Sequence, residues 1–396
     1  MTAVTAQRRP LLAIVTALFF LWGGITSLND ILIPKLKSLF VLDYTQAMLI
    51  QFAFFTAYAL ASVPAGRLVD RLGYGRSVVL GLGIMAFGSL LFLPAAAWAA
   101  YPAFLGALFI LAVGITLLQV AANPLIAQLG SPATAHSRLT FAQGFNSLGT
   151  TLFPLAGAQL MLGSESHKAG MVEASYAAIA LLLLLLAVVL WLMRSRLDDS
   201  MPGASGTVLG HGLLREPRLG FGVAAMFLYV GAEVAIGSLL VSYLMQAGTL
   251  GLDERSAGSL VALYWGGAML GRFIGAGLLR LWRPGAVLAA AALGAAGLIA
   301  VSLCSTGLLS AATLLAVGLA NSIMFPTIFS LAVEGLGRRT PQGSGLVCMA
   351  IVGGAIVPVA VGALADATSL GFGLLLPIAC YAGIALYGRF TLGDRP

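Results

Sequence analysis

The sequence predicts an all-α membrane protein with twelve transmembrane helices arranged as two pseudo-symmetric six-helix bundles, and three observations predict it. The first is composition: of 396 residues, 60% are hydrophobic and 9% charged, where a soluble domain carries about 25% charged residues. At about 33 residues per crossing and connection, the chain holds about twelve spans and no large soluble domain. The second is charge placement, with basic residues in alternate loops. The third is a polar break near the middle that separates six apolar runs from six more.

Taken in order, spans are expected near 11–36, 46–69, 77–97, 101–129, 138–162 and 172–193. The first holds FFLWGGITSLNDILIPKLK, residues 19–37, with Asn29 and Asp30 inside an otherwise apolar helix. An ionised Asp at the hydrocarbon centre costs at least about 3 kcal/mol, so such a residue faces a polar cavity and points to function. This first run is too long for a signal-peptide core and is read as a retained span. Residues 194–216, RSRLDDSMPGASGTVLGHGLLRE, are polar and rich in Gly and Ser, as in a flexible connection. Six further spans are expected near 217–247, 256–279, 284–304, 307–334, 342–365 and 371–390. The domain expectation is therefore a bundle over 1–193, a cytoplasmic linker over 194–216 and a second bundle over 217–396.

The net charge of +7 is a topology signal rather than a nucleic-acid footprint. With Arg8 and Arg9 placed in the cytoplasm, that side collects 17 of the 21 basic residues, including Arg272, Arg280 and Arg283; Lys35, Lys37, Lys168 and Arg255 remain outside. Both termini are expected in the cytoplasm. Cys304, Cys348 and Cys380 lie in apolar runs without C-x-x-C spacing, which indicates neither a disulfide framework nor a metal site.

Repetition supports two bundles. Gly66-Arg67 after the second span recurs as Gly271-Arg272 after the eighth, and aligning Pro124 with Pro326 sets Gln119 opposite Asn321. Aligning Trp22-Gly23-Gly24 with Tyr229-Val230-Gly231 places Glu233 opposite Thr26, one turn before the position matching Asp30. Pro34, Pro64, Pro124, Pro154, Pro326 and Pro358, with Gly pairs at 23–24, 266–267 and 353–354, mark places where spans bend.

Polar but uncharged amides recur in the spans: Gln51, Gln119, Asn123, Gln143, Asn146 and Asn321. Gln119 and Asn123 are spaced i,i+4 and Gln143 and Asn146 i,i+3, so each pair shares a helix face. Amides donate and accept together, which suits the hydroxyls of a neutral polyol; the alternative use is interhelical hydrogen bonding. No span centre is expected to hold an Arg or Lys that would pair an anionic substrate. Phe19, Trp22, Tyr58, Tyr229 and Trp265 are candidates to stack on the C–H face of a sugar, though membrane aromatics more often pack or anchor at interfaces. None of His136, His167 and His211 is at a span centre, which leaves Asp30 and Glu233 as titrating groups.

The segment AGRLVDRLGYGR, residues 65–76, resembles the G-x-L-x-D-R-x-G signature of the major facilitator superfamily, with Gly66, Leu68, Asp70, Arg71 and Gly73 at matching positions. Gly66, Asp70, Arg71 and Arg76 are the expected cytoplasmic gate, a charge-assisted contact that holds one side closed. The second-half copy has Gly275 where Asp70 would stand. The stretches FLWGGITSLNDILIPKLK, LLQVAANP, RLTFAQGFNSLGT, YVGAEVAIGSLLVSYL and NSIMFPTIFSLA resemble the fucose, glucose and galactose to proton symporter group. That resemblance implies the major facilitator fold, proton coupling at Asp30 and sugar binding at Asn146. Where the fucose permease pattern carries a second acid in the fourth span, this chain has Gln119 and offers Glu233 instead, which directs the expectation to a glucose, galactose or mannose type of hexose.

The expected function is proton-coupled hexose uptake by alternating access. Asp30 and Glu233 are the coupling residues. Asn29, Gln51, Gln119, Asn123, Gln143, Asn146, Glu233, Asn321, Trp22, Tyr229 and Trp265 are the substrate contacts. Sodium-coupled symport and a fucose or amino-sugar permease are the alternatives, ahead of a drug exporter or a membrane sensor. An integral membrane enzyme is not expected, because the chain has no HExxH, no His or Cys cluster and no phosphate-cradling loop. The remaining expectations are no cofactor beyond the coupling ion, no nucleic-acid partner, function as a monomer, and a bacterial inner-membrane location.

Overall fold

The computed structural model describes residues 10–27, 44–98, 100–162, 170–194 and 212–393. Asn29, Asp30, Pro34, residues 195–211 of the linker expected over 194–216, and the side chain of Gln51 lie outside the described residues. The first half forms α1 (Pro10–Ser27), α2 (Tyr44–Leu72), α3 (Tyr74–Ala97), α4 (Tyr101–Gln128), α5 (Ala135–Leu162) and α6 (Gly170–Leu192). The second half forms α7 (Pro217–Met245), α8 (Glu254–Leu281), α9 (Pro284–Cys304), α10 (Gly307–Asn321), α11 (Met324–Val333), α12 (Thr340–Met349), α13 (Gly353–Ala367) and, after the single turn Leu370–Gly373, α14 (Leu375–Gly393).

Among the described residues each of the twelve expected spans is helical, the first over 11–27 only, and two are broken. The tenth divides into α10 and α11 at Ser322-Ile323, and the eleventh into α12 and α13 at the 3-10 turn Ala350–Val352. Both breaks coincide with residues that disfavour a continuous helix. Pro326 lacks the N–H that would reach back to the Ser322 carbonyl, and Gly353-Gly354 follow the 3-10 turn. Among the described residues nine helical stretches are long and apolar enough to cross a bilayer. α8, which carries Glu254, Arg255, Arg272 and Arg280, is not among them.

Helix starts follow from local chemistry. Pro217 and Pro284 begin α7 and α9, where a missing N–H costs nothing. Asp253 caps α8 by accepting the Ser256 backbone N–H at 3.2 Å, and these donations hold its exposed carboxyl below the usual carboxylate range. α2 and α3 are joined through one residue, Gly73, with φ +84° and its N–H on the Val69 carbonyl at 2.9 Å. A side chain there would be strained, which accounts for the last glycine of the AGRLVDRLGYGR segment.

The chain divides into two compact units, and each takes a short segment from the other half of the sequence. Gly335–Met349, which contains α12, belongs with the first unit, and Pro132–Gly144, the start of α5, with the second. Within the first unit α12 seats against α2 through small residues. A Cβ on Gly345 would lie 2.6 Å from the Ser62 carbonyl oxygen, and one on Gly66 would lie 2.7 Å from that of Pro341. Gly345→Val is therefore expected to lift α12 from α2 at an overpacking cost of about 1–3 kcal/mol. Cys348, fully buried on α12, reports it: with Cys304 and Cys380 replaced by Ser, maleimide labelling of Cys348 should accelerate about tenfold or more. An unchanged labelling rate would show that the seam tolerates the valine.

Candidate functional site

In the second unit the polar side chains converge where α10 ends. Asn321, the last residue of α10, is fully buried. Its Nδ2 donates to the Tyr264 hydroxyl at 2.8 Å, and its Oδ1 accepts from the Tyr381 hydroxyl at 2.7 Å. Tyr229 donates its hydroxyl to Glu233 Oε1 at 2.7 Å, one turn along α7, and lies 3.3 Å from the Asn321 carbonyl oxygen. The three tyrosines come from α7, α8 and α14, so Asn321 meets α8 and α14 through its side-chain amide and α7 through its backbone carbonyl. Glu233 is half-buried, its carboxylate held by Tyr229. Trp265 is 45% exposed, meets Tyr264 edge-on at 5.1 Å, and packs over the Gly237 position on α7.

Arg272 completes this site, and its place corrects the sequence expectation. Gly271 and Arg272 do not follow the eighth span: α8 runs on to Leu281, which places Arg272 about 14 Å inside the helix end. Its Nε donates to the Ser322 carbonyl at 3.3 Å and its Nη1 to the Gln143 carbonyl at 3.4 Å. Ser322 is the carbonyl that Pro326 leaves without a helical N–H, so the guanidinium serves a backbone group freed by the break. Gly275, where the repeat lacks its acid, has no room for one: a Cβ would lie 2.0 Å from Ile323 Cγ2.

The first unit holds a second polar set. Tyr58 on α2 donates to Gln119 Oε1 on α4 at 2.7 Å, both buried, and Asn123 lies fully buried one turn further along α4. Asn146 Nδ2 donates to the Phe19 carbonyl at 3.0 Å. That bond pins α5 to α1, which leaves the Asn146 oxygen for other use. Trp22 is buried and meets Phe19 at 5.3 Å between ring centroids. Gln143 is buried on α5 in the segment that belongs with the second unit.

The gate residues separate by exposure. Asp70 is buried and accepts from Gln342 Nε2 at 3.3 Å, so an amide of α12 meets it; Arg71 and Arg76 are exposed. Within the second unit, buried His136 pairs through Nδ1 with Ser330 Oγ at 2.6 Å, and Ser137 Oγ donates to the Ala276 carbonyl at 2.6 Å while accepting from Arg280.

Sequence reasoning missed Tyr264, Tyr381 and Arg272 as site residues. The tyrosines carried no signal that separates them from packing aromatics. Arg272 did, as a cation nine residues before the end of a helix and facing a proline-broken neighbour.

The second unit offers neutral donors and acceptors at Asn321, Tyr264 and Tyr381 beside the held carboxylate of Glu233, and the first unit, taken by itself, offers Tyr58 and Gln119; groups that donate and accept suit hydroxyls. The family model described as Major Facilitator Superfamily matches residues 14–358. The chain is 50% identical over 380 residues to a Brucella abortus protein named glucose/galactose transporter, covering 94% of this chain and 92% of that protein. It is 34% identical over 422 residues to the Escherichia coli L-fucose-proton symporter, covering 96% and 92%. A crystal structure of the E. coli fucose:proton symporter superposes with TM-score 0.84 at 30% identity, over 98% of this chain and all of that one.

Proposed function

The chain belongs to the Major Facilitator Superfamily, and we propose that it is a secondary active transporter that carries a neutral hexose of the glucose/galactose type inward with a proton. The observation that carries this reading is the Asn321 cluster: an amide satisfied by two phenols beside a carboxylate held by a third. Such groups both donate and accept, as sugar hydroxyls do. The names of the Brucella and E. coli relatives support a sugar over other neutral solutes. Replacement of the fourth-span acid by Gln119, already bonded to Tyr58, favours the glucose/galactose type over fucose.

Transport proceeds by alternating access about a midplane site, the arrangement in which broken helices supply backbone groups to a cavity. Asp30 takes up the proton in this mechanism. Glu233 either shares the coupling or binds sugar, and Tyr229 fixes its carboxylate for both tasks. Sodium coupling would need oxygen ligands at such a site. The Ser322 carbonyl freed by the helix break is instead served by the Arg272 guanidinium, which supports the proton. The location is a bacterial inner membrane, with both termini in the cytoplasm as the arginine bias directs.

Uptake by proteoliposomes tests this. Labelled glucose, galactose, mannose and fucose are offered under an imposed proton gradient and, separately, a sodium gradient. Glucose or galactose should accumulate under the proton gradient alone, with fucose weaker. Accumulation driven by sodium would overturn the coupling, and movement of none of these sugars would overturn the substrate class.

A further inference from the structure

A groove of about 450 Å³ opens in the second unit, outside the polar cluster. Its floor is Gly271 and Gly275 of α8, and Ala286 and Ala290 of α9 and Leu319 of α10 line its sides. Ile274 and Leu319 are half exposed along it, and Ala286 and Ala290 present no bulk. The lining is apolar apart from Ser322 at the inner end, so in a membrane protein the groove is open to hydrocarbon. From Trp282 to Gly271 it follows eleven residues of α8, about 16 Å of helix rise. One leaflet of a hydrocarbon core is about 15 Å deep.

The mouth differs from the lining. Trp282 lines it and is 61% exposed, in the position of an interfacial anchor. Arg283 follows, exposed, at the start of α9, on the side to which the arginine bias assigns the cytoplasm. A cation at the interface above a one-leaflet apolar groove complements an acyl chain attached to an anionic headgroup.

We propose that this groove binds one anionic phospholipid of the cytoplasmic leaflet, its acyl chain between α8 and α9 and its phosphate at Arg283. The chain ends against Ser322 and Ile323, the turn at which the tenth span breaks, so the bound lipid packs against the element that carries Asn321. The inference rests on the membrane reading and is independent of which sugar is carried.

The test uses the full chain in neutral detergent, incubated with equimolar phosphatidylglycerol and phosphatidylcholine of identical acyl chains, with retained lipid counted by native mass spectrometry. The unaltered protein should retain phosphatidylglycerol over phosphatidylcholine by about fivefold, the preference one basic side chain gives near an anionic headgroup. Ala290→Trp fills the groove and should lose the retained lipid of both kinds, while Arg283→Gln should keep a lipid and lose the preference. If Ala290→Trp fails to fold, Ala286→Leu with Ala290→Leu fills the same space with smaller side chains. Equal retention of the two lipids by the unaltered protein would overturn the proposal, as would an unchanged preference in the groove-filled and Arg283→Gln variants.

Discussion

Asp30→Asn is expected to hold the internal to external hexose ratio near one under a pH gradient that should drive the unaltered carrier to concentrate its substrate. A gradient of two pH units is worth about 2.7 kcal/mol per proton, or about a hundredfold accumulation at one proton per sugar. Asn keeps the shape and the hydrogen-bonding capacity of the side chain but cannot exchange a proton, so the drive is lost while exchange of sugar for sugar persists. Accumulation by Asp30→Asn at the unaltered level would remove this residue from the coupling role. Glu233→Gln divides the two tasks open to Glu233. The Gln carbonyl can still accept the Tyr229 hydroxyl that now lies 2.7 Å from Oε1, so the local geometry survives. A titrating Glu233 predicts a collapsed ratio at unchanged counterflow, and a sugar ligand predicts a raised KM at an unchanged ratio. Measurement of initial rate against sugar concentration, alongside the steady-state ratio, separates the two.

The second large effect is expected at Gly318 on α10. A Cβ there would lie 2.0 Å from the Tyr264 carbonyl oxygen and 3.1 Å from its Cα, so the obstacle is backbone and no rotamer relieves it. Gly318→Val must push α10 from α8, and overpacking of this kind costs about 1–3 kcal/mol and on occasion more. The same displacement draws Tyr264 from the Asn321 amide, and each buried partner left unmatched costs about 1–3 kcal/mol, less where the membrane-embedded reference state finds another partner. Melting in detergent should fall by several degrees and hexose uptake should be lost with it. Gly294→Ala on α9 is the control: nothing lies within 4 Å of its Cβ position. It should melt at the same temperature or slightly higher, since Ala suits a helix interior better than Gly by about 0.8–1.0 kcal/mol. Equal melting of Gly318→Val and Gly294→Ala would show that α8 and α10 are not held in close contact.

The gate segment shows how unevenly a motif exposes its physics. Gly73 was legible as the last position of the signature, and the structure gives the reason for a glycine there, a positive φ at the one residue between α2 and α3. Asp70 was legible as a contact residue, but its partner was not. The amide of Gln342 stands 272 positions away, and no local pattern announces a pairing at that separation. Gly66 was legible as a signature position, but Gly345 looks like an ordinary membrane glycine until α2 and α12 are brought within a few ångströms of each other.

Reading the chain alone was enough for the helical class, the twelve spans and a bend near Pro326 in the tenth. These are local properties: hydrophobic run length, a missing N–H and side-chain chemistry each act within a few residues. Tertiary structure alone decided that Asn321 meets Tyr264 and Tyr381, that Arg272 turns to the carbonyl freed by Pro326, and that each half lends the other unit a short segment. Those pairings depend on which helices pack side by side. In a chain apolar on nearly every face, side-chain periodicity does not select a partner; small residues and a few polar groups select it once backbones approach closely enough for them to meet.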